Sequence, residues 1–597
     1  MSILQANIDF LARKFPDVIQ ALTNVEFDAS SVYTERVEKD QDWLEAVQGS
    51  IEDFKLIFMY GFGQGLAVID LLEQYPDRWV FLYEPNISVF YNAIQQYNLV
   101  ELFQHPSFKG IAIGEDQLKK LFSSISGYMQ YDLAFVAHRH YLEHGVKQLY
   151  DLKEEFVKYN ETFEVNQQTM DHFRVQWMRN SLYQLGSVMT SPLIESLRNA
   201  LRGCTAVVIG SGPSLQQDIE WLKKLKSHAL IIAAGSSIQA LNKHGIQPHL
   251  TVVMDGGEVN DAIFSEPETL TAPMLITSTA YYGLSEKKQS QRMYSVLRND
   301  FVSHFFMGAS KEQFLLEPTS TVTGTAMQAA ICLGASKIIM MGQDLSFPNN
   351  QFYADGIIHA YTKYLEEKIA EAAENQWLVE NVEGSQNITN RSFLFMKNGL
   401  EELIAAFPNV QFINATRQGA QIAGSIFMPV EEVLELIQSE QMAPHTIEQL
   451  LQQQLEQPSH LSTPVKAVQQ KLQAVAQDFE VVHVELRNLK KLLDKVQGLS
   501  RSKPLKAQQT LEEIEKSWTL IVNRDWFEPI MECINPMELS QFDKQLPAII
   551  TEKNIMTKSS LIYLHLGKLV NTMMDTLKEL HDIFQHSLQR LENINMN

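Results

Sequence analysis

The chain has 597 residues, of which 45% are apolar, enough to build ordinary packed cores in about three to four domains. A formal charge of −22 argues against nucleic acid or an anionic membrane as the main partner, because both reward clustered Lys and Arg. Only Cys204, Cys332 and Cys533 are present, which excludes a disulfide framework and a cysteine zinc site. The first residues, "MSILQANIDFLARKF", lack an apolar signal core, and no run of about 18 apolar residues occurs anywhere. These features predict a cytoplasmic protein whose partners are small molecules and proteins.

The fold class read from the chain is α/β, with helices alone at the C-terminal end. Residues 1–160 read as a Rossmann-like domain. "FKLIFMY" is a buried strand, Gly61, Gly63 and Gly65 form a turn, "LAVIDLLEQYP" is a helix, and "RWVFLYE" is a second strand ending at Glu84. An acid roughly 20 residues after a glycine turn suits a dinucleotide or S-adenosylmethionine. Glycines that merely permit a tight strand-to-helix turn explain the pattern equally simply, and we expect that structural role. Residues 161–200 lack strand signals and read as a helical connector.

A second α/β region spans 201–430. The strand candidates "TAVVIG", "ALIIAAG", "LTVVMDG", "PMLITST" and "KIIMMG" alternate with helical segments, which predicts a parallel sheet covered on both faces. After about 430 the strands stop, and 431–597 read as helical. Between Pro464 and Gly498, apolar residues from Val465 to Val496 recur at steps of three and four. Ser462 and Thr463 supply a start and Gly498 a stop for one long helix. We expect that helix to pack within the chain, against segments 508–525 and 559–595, instead of pairing with another chain.

The second region carries the motifs. In "VVIGSGPSLQ" a strand breaks at Gly210, Ser211, Gly212, Pro213 and Ser214 before a helix, leaving free N–H groups aimed at one spot that suits a phosphate. "AAGSSIQAL" ends a strand at Gly235, Ser236 and Ser237, and "VVMDGGE" ends another at Asp255. Carboxyl ends of parallel strands share one edge, so these segments can converge on a single crevice. "TVTGTAMQAAICLGASKIIMMGQDLSF" adds Thr323, Gly324 and Thr325 at a helix entrance, a buried strand, and an exit at Gly342 and Asp344.

The run "GSGPSL", the block just quoted, "FYADG" and "NATRQGAQIAG" together resemble the Maf (motility-associated factor) family of flagellin glycosyltransferases. The central domain of that family is similar to bacterial sialyltransferases that use CMP-sialic acid. The resemblance implies a transferase that moves a nonulosonic acid, such as pseudaminic or legionaminic acid, from its CMP-activated form to Ser or Thr of flagellin, as flagellum assembly and motility require. It assigns the CMP phosphate and ribose to Gly210–Ser214. The matching sialyltransferase turn has Asn where Ser211 stands, and another near Ser236 and Ser237.

No metal or other cofactor is expected, because a CMP-ketose already carries a good leaving group and no metal-ligand cluster accompanies the motifs. On the resemblance, Tyr353 is the candidate donor to the departing phosphate, and His359 the candidate base for the acceptor hydroxyl. Thr323 binds the sugar carboxylate or the phosphate, and Asp255 binds ribose or organises its turn. Asn414 and Thr416 contact donor or acceptor, whereas Gly419 and Gly424 serve backbone geometry. A second family tyrosine has no equivalent beside Asp344, where Ser346 and Phe347 stand. The expected partners are flagellin and the CMP-sugar donor, with the helices after 430 as the flagellin-recognition region.

Three other functions fit parts of the chain: an ATP- and magnesium-dependent enzyme like 6-hydroxymethylpterin diphosphokinase, a non-catalytic flagellin-binding or assembly factor, and a methyltransferase using the Gly61 turn. The long helical C-terminal region favours the glycosyltransferase, since a small pterin needs no such surface.

Overall fold

The structure is a computed structural model that describes all residues except 1, 24–26, 34–38, 52, 129–131, 310–312, 360–361, 456–462 and 596–597. It divides into two compact units, 1–172 and 173–597.

Four strands form the sheet of the first unit: β1 (Leu56–Tyr60), β2 (Trp79–Glu84), β3 (Phe108–Ile113) and β4 (Leu133–Ala137). Their order is β3-β2-β1-β4 and every pairing is parallel. Strands β1 and β2 are almost wholly buried, as expected of inner strands covered on both faces. At the end of β1, Gly61 adopts φ +95°, and a Cβ there would lie 2.4 Å from the Tyr141 ring. Only glycine fits.

Glu84 is fully buried and turned into this turn. Its carboxylate accepts from Phe62 N (2.6 Å), Asn86 N (2.9 Å) and the Tyr141 hydroxyl (2.7 Å). Burial pushes its pKa up while the three hydrogen bonds pull it back. The acid that could have reached a cofactor ribose therefore holds its own turn and a tyrosine, which leaves the methyltransferase reading without its ribose ligand.

The second unit is built on eight parallel strands with order β14-β13-β10-β5-β6-β7-β8-β9. In chain order these are β5 (Thr205–Ile209), β6 (Leu230–Ala234), β7 (Leu250–Val253), β8 (Met274–Thr277), β9 (Arg292–Ser295), β10 (Lys337–Met341), β13 (Gln411–Asn414) and β14 (Ile426–Phe427). A separate hairpin, β11 (Leu378–Glu380) with β12 (Gln386–Ile388), lies between β10 and β13 in sequence. The chain runs outward from β5 through β6 to β9, then returns to the other side of β5. The β5/β10 boundary is thus the switch point where such sheets open a crevice. On one face the helix Val322–Leu333 offers Ala326, Ala329 and Ala330 to Val208, Ile232 and Val252, small residues that let helix and sheet approach closely.

The other face is covered by helices from two distant parts of the chain. The helix Val146–Thr190 contributes Met178, Leu182, Leu185 and Val188 to the same core as Val207, Ile231 and Ile276. The C-terminal helices join that core. The Ser587 hydroxyl donates to Leu182 O (2.7 Å), and Phe584 packs on Phe306 with ring centroids 5.9 Å apart. The helices expected to stand as a separate domain from 431 therefore share one unit with the central sheet, and removing them would bare its core.

The heptad stripe falls on the helix Val465–Ser502, with Val468, Leu472, Phe479, Val482, Leu486, Leu489, Leu493 and Val496 all buried. Its partners are intramolecular. Phe479 meets Phe584 of the helix Ile555–Asn595 at 4.8 Å, and the helix Pro504–Val522 completes the bundle. Gly498 does not stop the helix, which continues to Ser502 and breaks at Lys503, with Pro504 opening the next helix. Ser462 lies outside the described residues, while the Thr463 hydroxyl donates to Met307 O (2.7 Å).

Removing the Glu84 carboxylate would leave the N–H groups of Phe62 and Asn86 without their acceptor and take one of two hydrogen-bond partners from the Tyr141 hydroxyl, a loss of about 2–5 kcal/mol. Glu84→Ala is expected to speed amide hydrogen exchange throughout β1–β4 and leave exchange in β5–β10 unchanged, as read by mass spectrometry.

Candidate functional site

The exits of β5 and β10 interlock. Gly210 N donates to Met341 O (2.8 Å) and Gly212 N to Gly342 O (2.8 Å). A Cβ on Gly210 would stand 2.4 Å from Gly342 O, and one on Gly212 1.9 Å from Asp344 Oδ2. Asp344 is buried and clamps the β5 exit by accepting from Ser214 N (3.2 Å) and Ser214 Oγ (2.8 Å). Burial raises its pKa to about 7, against the pull of those hydrogen bonds. Asp344, Ser214 and the buried Pro213 thus shape the crevice, and the expected donor contacts of Asp344 and Ser214 give way to contacts with each other.

The β6 exit faces this turn. Ser236 Oγ donates to Ser211 Oγ (3.0 Å), so both hydroxyls expected at the phosphate stand together, partly open to solvent. Gly235 has φ +53° and lies against Val322, at the start of the helix Val322–Leu333. Ser237 is fully buried, its hydroxyl without a hydrogen-bond partner among the described residues. At the helix entrance Thr323 Oγ1 donates to Gln343 Oε1 (2.5 Å), and Gln343 N donates to Thr416 Oγ1 (3.1 Å).

Asn414 Oδ1 in turn accepts from Thr416 N (3.0 Å), while its amide donates to Ala420 O (3.3 Å). Asn414 and Thr416, expected to contact donor or acceptor, are buried and bind the β13 exit to that of β10. Gly324 packs on Thr319, and Thr325 Oγ1 lies 2.7 Å from Thr319 Oγ1, so both brace the segment before the helix.

The segment after β10 closes the other side. Ala354 N donates to Ser211 O (2.9 Å), and Asp355 pairs with Lys243 (2.5 Å). This seats Tyr353 and His359 side by side, ring centroids 5.4 Å apart. Burial lowers the His359 pKa, which keeps the imidazole neutral at pH 7. Burial and then the nearby Asp255 charge raise the Tyr353 pKa, which keeps its hydroxyl protonated. The pair is poised in opposite senses, as acid–base partners are.

Gln239 decides which nitrogen of His359 carries the proton. Its amide nitrogen donates to Ala262 O (3.2 Å) and Ile263 O (3.3 Å), while its Oε1 accepts from the backbone N–H of Ile358 (3.2 Å). The same Oε1 lies 3.2 Å from His359 Nδ1. An oxygen that already accepts from a peptide N–H can only accept again, so Nδ1 is the protonated nitrogen and Nε2 holds the lone pair. No sequence motif singles out Gln239, although an amide inside the apolar run "SSIQAL" marks a buried polar group needing partners.

Asp255 stands at the open mouth of the crevice. Solvent reaches the residue, yet surrounding protein crowds the carboxyl and pushes its pKa up. Its backbone oxygen organises the turn by accepting from Asn260 Nδ2 (2.7 Å) and Tyr281 N (3.0 Å). The carboxylate has no hydrogen-bond or ion-pair partner among the described residues and faces the crevice group that includes Tyr353. Asn180, from the segment read as a connector, holds the neighbouring exits by donating to Gly256 O (3.0 Å) and Thr279 O (2.9 Å).

Because the folded state holds the Asp344 proton until about pH 7 while the unfolded chain releases it near 3.8, folding stability falls as pH rises between those values. Asp344→Asn keeps the shape and removes the titration. Relative to this variant, the wild-type protein is expected to lose on the order of 4 kcal/mol of stability from pH 4 to pH 7 and little more above it, as measured by urea unfolding. A difference independent of pH would contradict the assignment.

Comparison with known proteins agrees with the fold. Residues 179–350 match the family described as 6-hydroxymethylpterin diphosphokinase MptE-like. A stretch of 171 residues is 27% identical to an uncharacterized protein of Treponema pallidum (strain Nichols), covering 28% of this chain and 57% of that relative. The match thus spans little more than half of the relative's length. The structure of a Maf glycosyltransferase from Magnetospirillum magneticum AMB-1 superposes with a TM-score of 0.59 over 99% of both chains at 14% sequence identity. From end to end, the chain has the fold of that Maf glycosyltransferase, and the MptE-like stretch covers the strands β5–β10 on either side of the switch point.

Proposed function

We propose that the protein is a cytoplasmic glycosyltransferase that transfers a nonulosonic acid, pseudaminic or legionaminic acid, from its CMP-activated donor to Ser or Thr of flagellin, in support of flagellum assembly and motility. The observation that carries the reading is a neutral imidazole and a protonated phenol side by side on the segment whose Ala354 N–H donates to Ser211 O, the residue that carries the Ser211–Ser236 hydroxyl pair at the β5/β10 switch point. No helix among the described residues is long and apolar enough to cross a membrane.

In this reaction the acceptor oxygen forms a bond to the anomeric carbon as the bond from that carbon to the CMP phosphate breaks. The acceptor proton passes to His359 Nε2. Negative charge building on the departing phosphate is met by the Tyr353 hydroxyl, by the Ser211 hydroxyl that Ser236 supports, and by the Ser211 N–H; the other N–H groups of the Gly210–Ser214 turn are engaged with Met341, Gly342 and Asp344. Thr323 lies one bond away through Gln343, at the helix entrance where a carboxylate of the sugar is favoured. Asp255, open in the crevice mouth, is placed to accept from ribose hydroxyls. Such a site needs no cation to hold the leaving group, and we propose metal-independent transfer. The acceptor surface is assigned to the helices between 431 and 597, because a Ser or Thr on a folded protein is selected by docking as well as by a pocket.

The MptE-like match favours one second reading, ATP-dependent pyrophosphoryl transfer with Mg²⁺. CMP is expected to raise the melting temperature without divalent ions, since a ligand at 100 times its Kd stabilises the folded state by about 2.7 kcal/mol. Ser211→Trp should abolish this shift by filling the crevice. Stabilisation that instead required ATP and Mg²⁺ would favour the second reading, and intact-mass measurement of flagellin from cells with and without the protein tests the transfer itself.

His359→Ala should cut transfer by about 10²–10⁴-fold with CMP affinity within about twofold, the usual contribution of a general base. The acid limb of the kcat/KM profile should lie below pH 6.5, where His359 takes up its proton. Gln239→Leu frees the imidazole to change tautomer and should lower kcat by about tenfold, whereas Gln239→Glu should move the acid limb to higher pH by placing a negative charge on Nδ1–H. Profiles unchanged in both Gln239 variants would remove His359 from the mechanism.

A further inference from the structure

The sheet of the first unit has a switch point of its own. In the order β3-β2-β1-β4 the chain leaves β1 toward β2 and β3, then returns to pair β4 with the other side of β1. Ligand crevices in open α/β sheets form at this boundary, outside the carboxyl ends of the strands. A cavity of about 590 Å³ lies there, in the 300–1,000 Å³ range of small-molecule sites. Its walls come from Tyr60 at the end of β1, Asn86 and Ile87 after β2, and His140 and Tyr141 after β4, with Tyr33 across from them.

The lining selects a chemistry. It contains no Lys, Arg, Asp or Glu among the described residues. Glu84, directly behind, is fully engaged with the turn and Tyr141. Burial and neighbouring imidazoles lower the His140 pKa, so that ring is neutral at pH 7. A phosphate or carboxylate would find no cationic fork, and an ammonium no carboxylate. The walls are instead aromatic and fixed. Tyr33 stacks on His140 with centroids 3.7 Å apart, and Tyr141 stands edge-on to Tyr33 at 5.5 Å and to Tyr60 at 4.7 Å.

Polar groups face the same space without partners. Tyr60 is only 5% exposed, and its hydroxyl makes no hydrogen bond among the described residues. A hydroxyl so enclosed loses free energy unless water or a ligand completes it. The His140 ring nitrogens and the amide of Gln148 at the rim are likewise unpaired among the described residues.

We propose that this cavity binds an uncharged sugar ring, its C–H face against the aromatic wall and its hydroxyls bonded to Tyr60, His140 and Gln148. Neutral hydroxyls need donors and acceptors without net charge, and a ring with one apolar face needs a flat wall; the cavity supplies both. The site lies wholly in the first unit and does not depend on the function assigned to the central crevice.

The test uses the full-length protein and saturation-transfer NMR with the methyl glycosides of glucose, galactose and N-acetylglucosamine. At least one should bind with saturation concentrated on one face of its ring, and excess CMP should leave that signal in place. Tyr60→Phe and Gln148→Ala, which retain the aromatic wall, should each weaken binding by about two- to tenfold, the worth of one hydrogen bond. Near-UV circular dichroism matching the wild-type protein shows that each variant is folded. Binding of none of the three glycosides, displacement by cytidine or glucose 6-phosphate, or affinity unchanged in both variants would overturn the proposal.

Discussion

The second unit depends on the close approach of two backbones at the ends of β5 and β10. Gly210 and Gly342 face each other so tightly that a Cβ on either would meet the other's carbonyl oxygen. This contact sets the depth of the crevice. It brings Gly212 against Asp344, and Asp344 in turn fixes Ser214 and the start of the following helix. Ser211 is left on the open side, where Ser236 and the Tyr353 segment reach it. A larger residue at either glycine would separate the strand ends and scatter groups contributed by four different loops.

The two sheets show one topology put to different uses. Each reverses direction beside its first strand, and each follows that strand with glycines. In the first unit the acid after the glycines is spent inside the protein on Phe62, Asn86 and Tyr141. In the second, the acid after β7 keeps its carboxylate open, and the acid after β10 is the one turned inward. The difference lies in neighbours: Tyr141 reaches Glu84 from the β4 side, whereas Asn260 and Tyr281 bond the backbone oxygen of Asp255 and leave its carboxylate alone.

The inner strands were legible because burial on both faces demands unbroken apolar runs, as in "TAVVI", "LIIAA" and "KIIMM". The strands that escaped the sequence lie at or next to sheet edges. β3, β9, β13 and β14 are shorter on apolar residues or carry exposed positions, since an edge strand is covered less completely, whereas β4 is apolar throughout and is only partly covered at Leu133 and Phe135. The crevice loops were legible from glycine and serine punctuation. The roles within them were less so: Asn414 and Thr416 have the polarity of ligand contacts but spend it on the backbone of Gln343, Ala420 and Thr416 itself, and nothing short of the fold could pair Thr416 with Gln343. Gln239 and Gln343 are harder for the converse reason: an amide in an apolar run signals burial, but its role comes from residues far away in sequence.

The shared core of sheet and C-terminal helices also governs how this architecture can diversify. Phe584 touches Phe306 and Phe479, and Ser587 holds Leu182, so the end of the chain is fitted to segments more than a hundred residues upstream. Such a region cannot be traded between relatives as a cassette. A chimera joined near 430 would place a foreign ring against Phe306 and a foreign helix along Leu182, and would inherit a mismatched interior before it acquired any new surface. Descent should instead alter the outward-facing positions of these helices one at a time, keeping the inward stripe and its sheet-side partners in step.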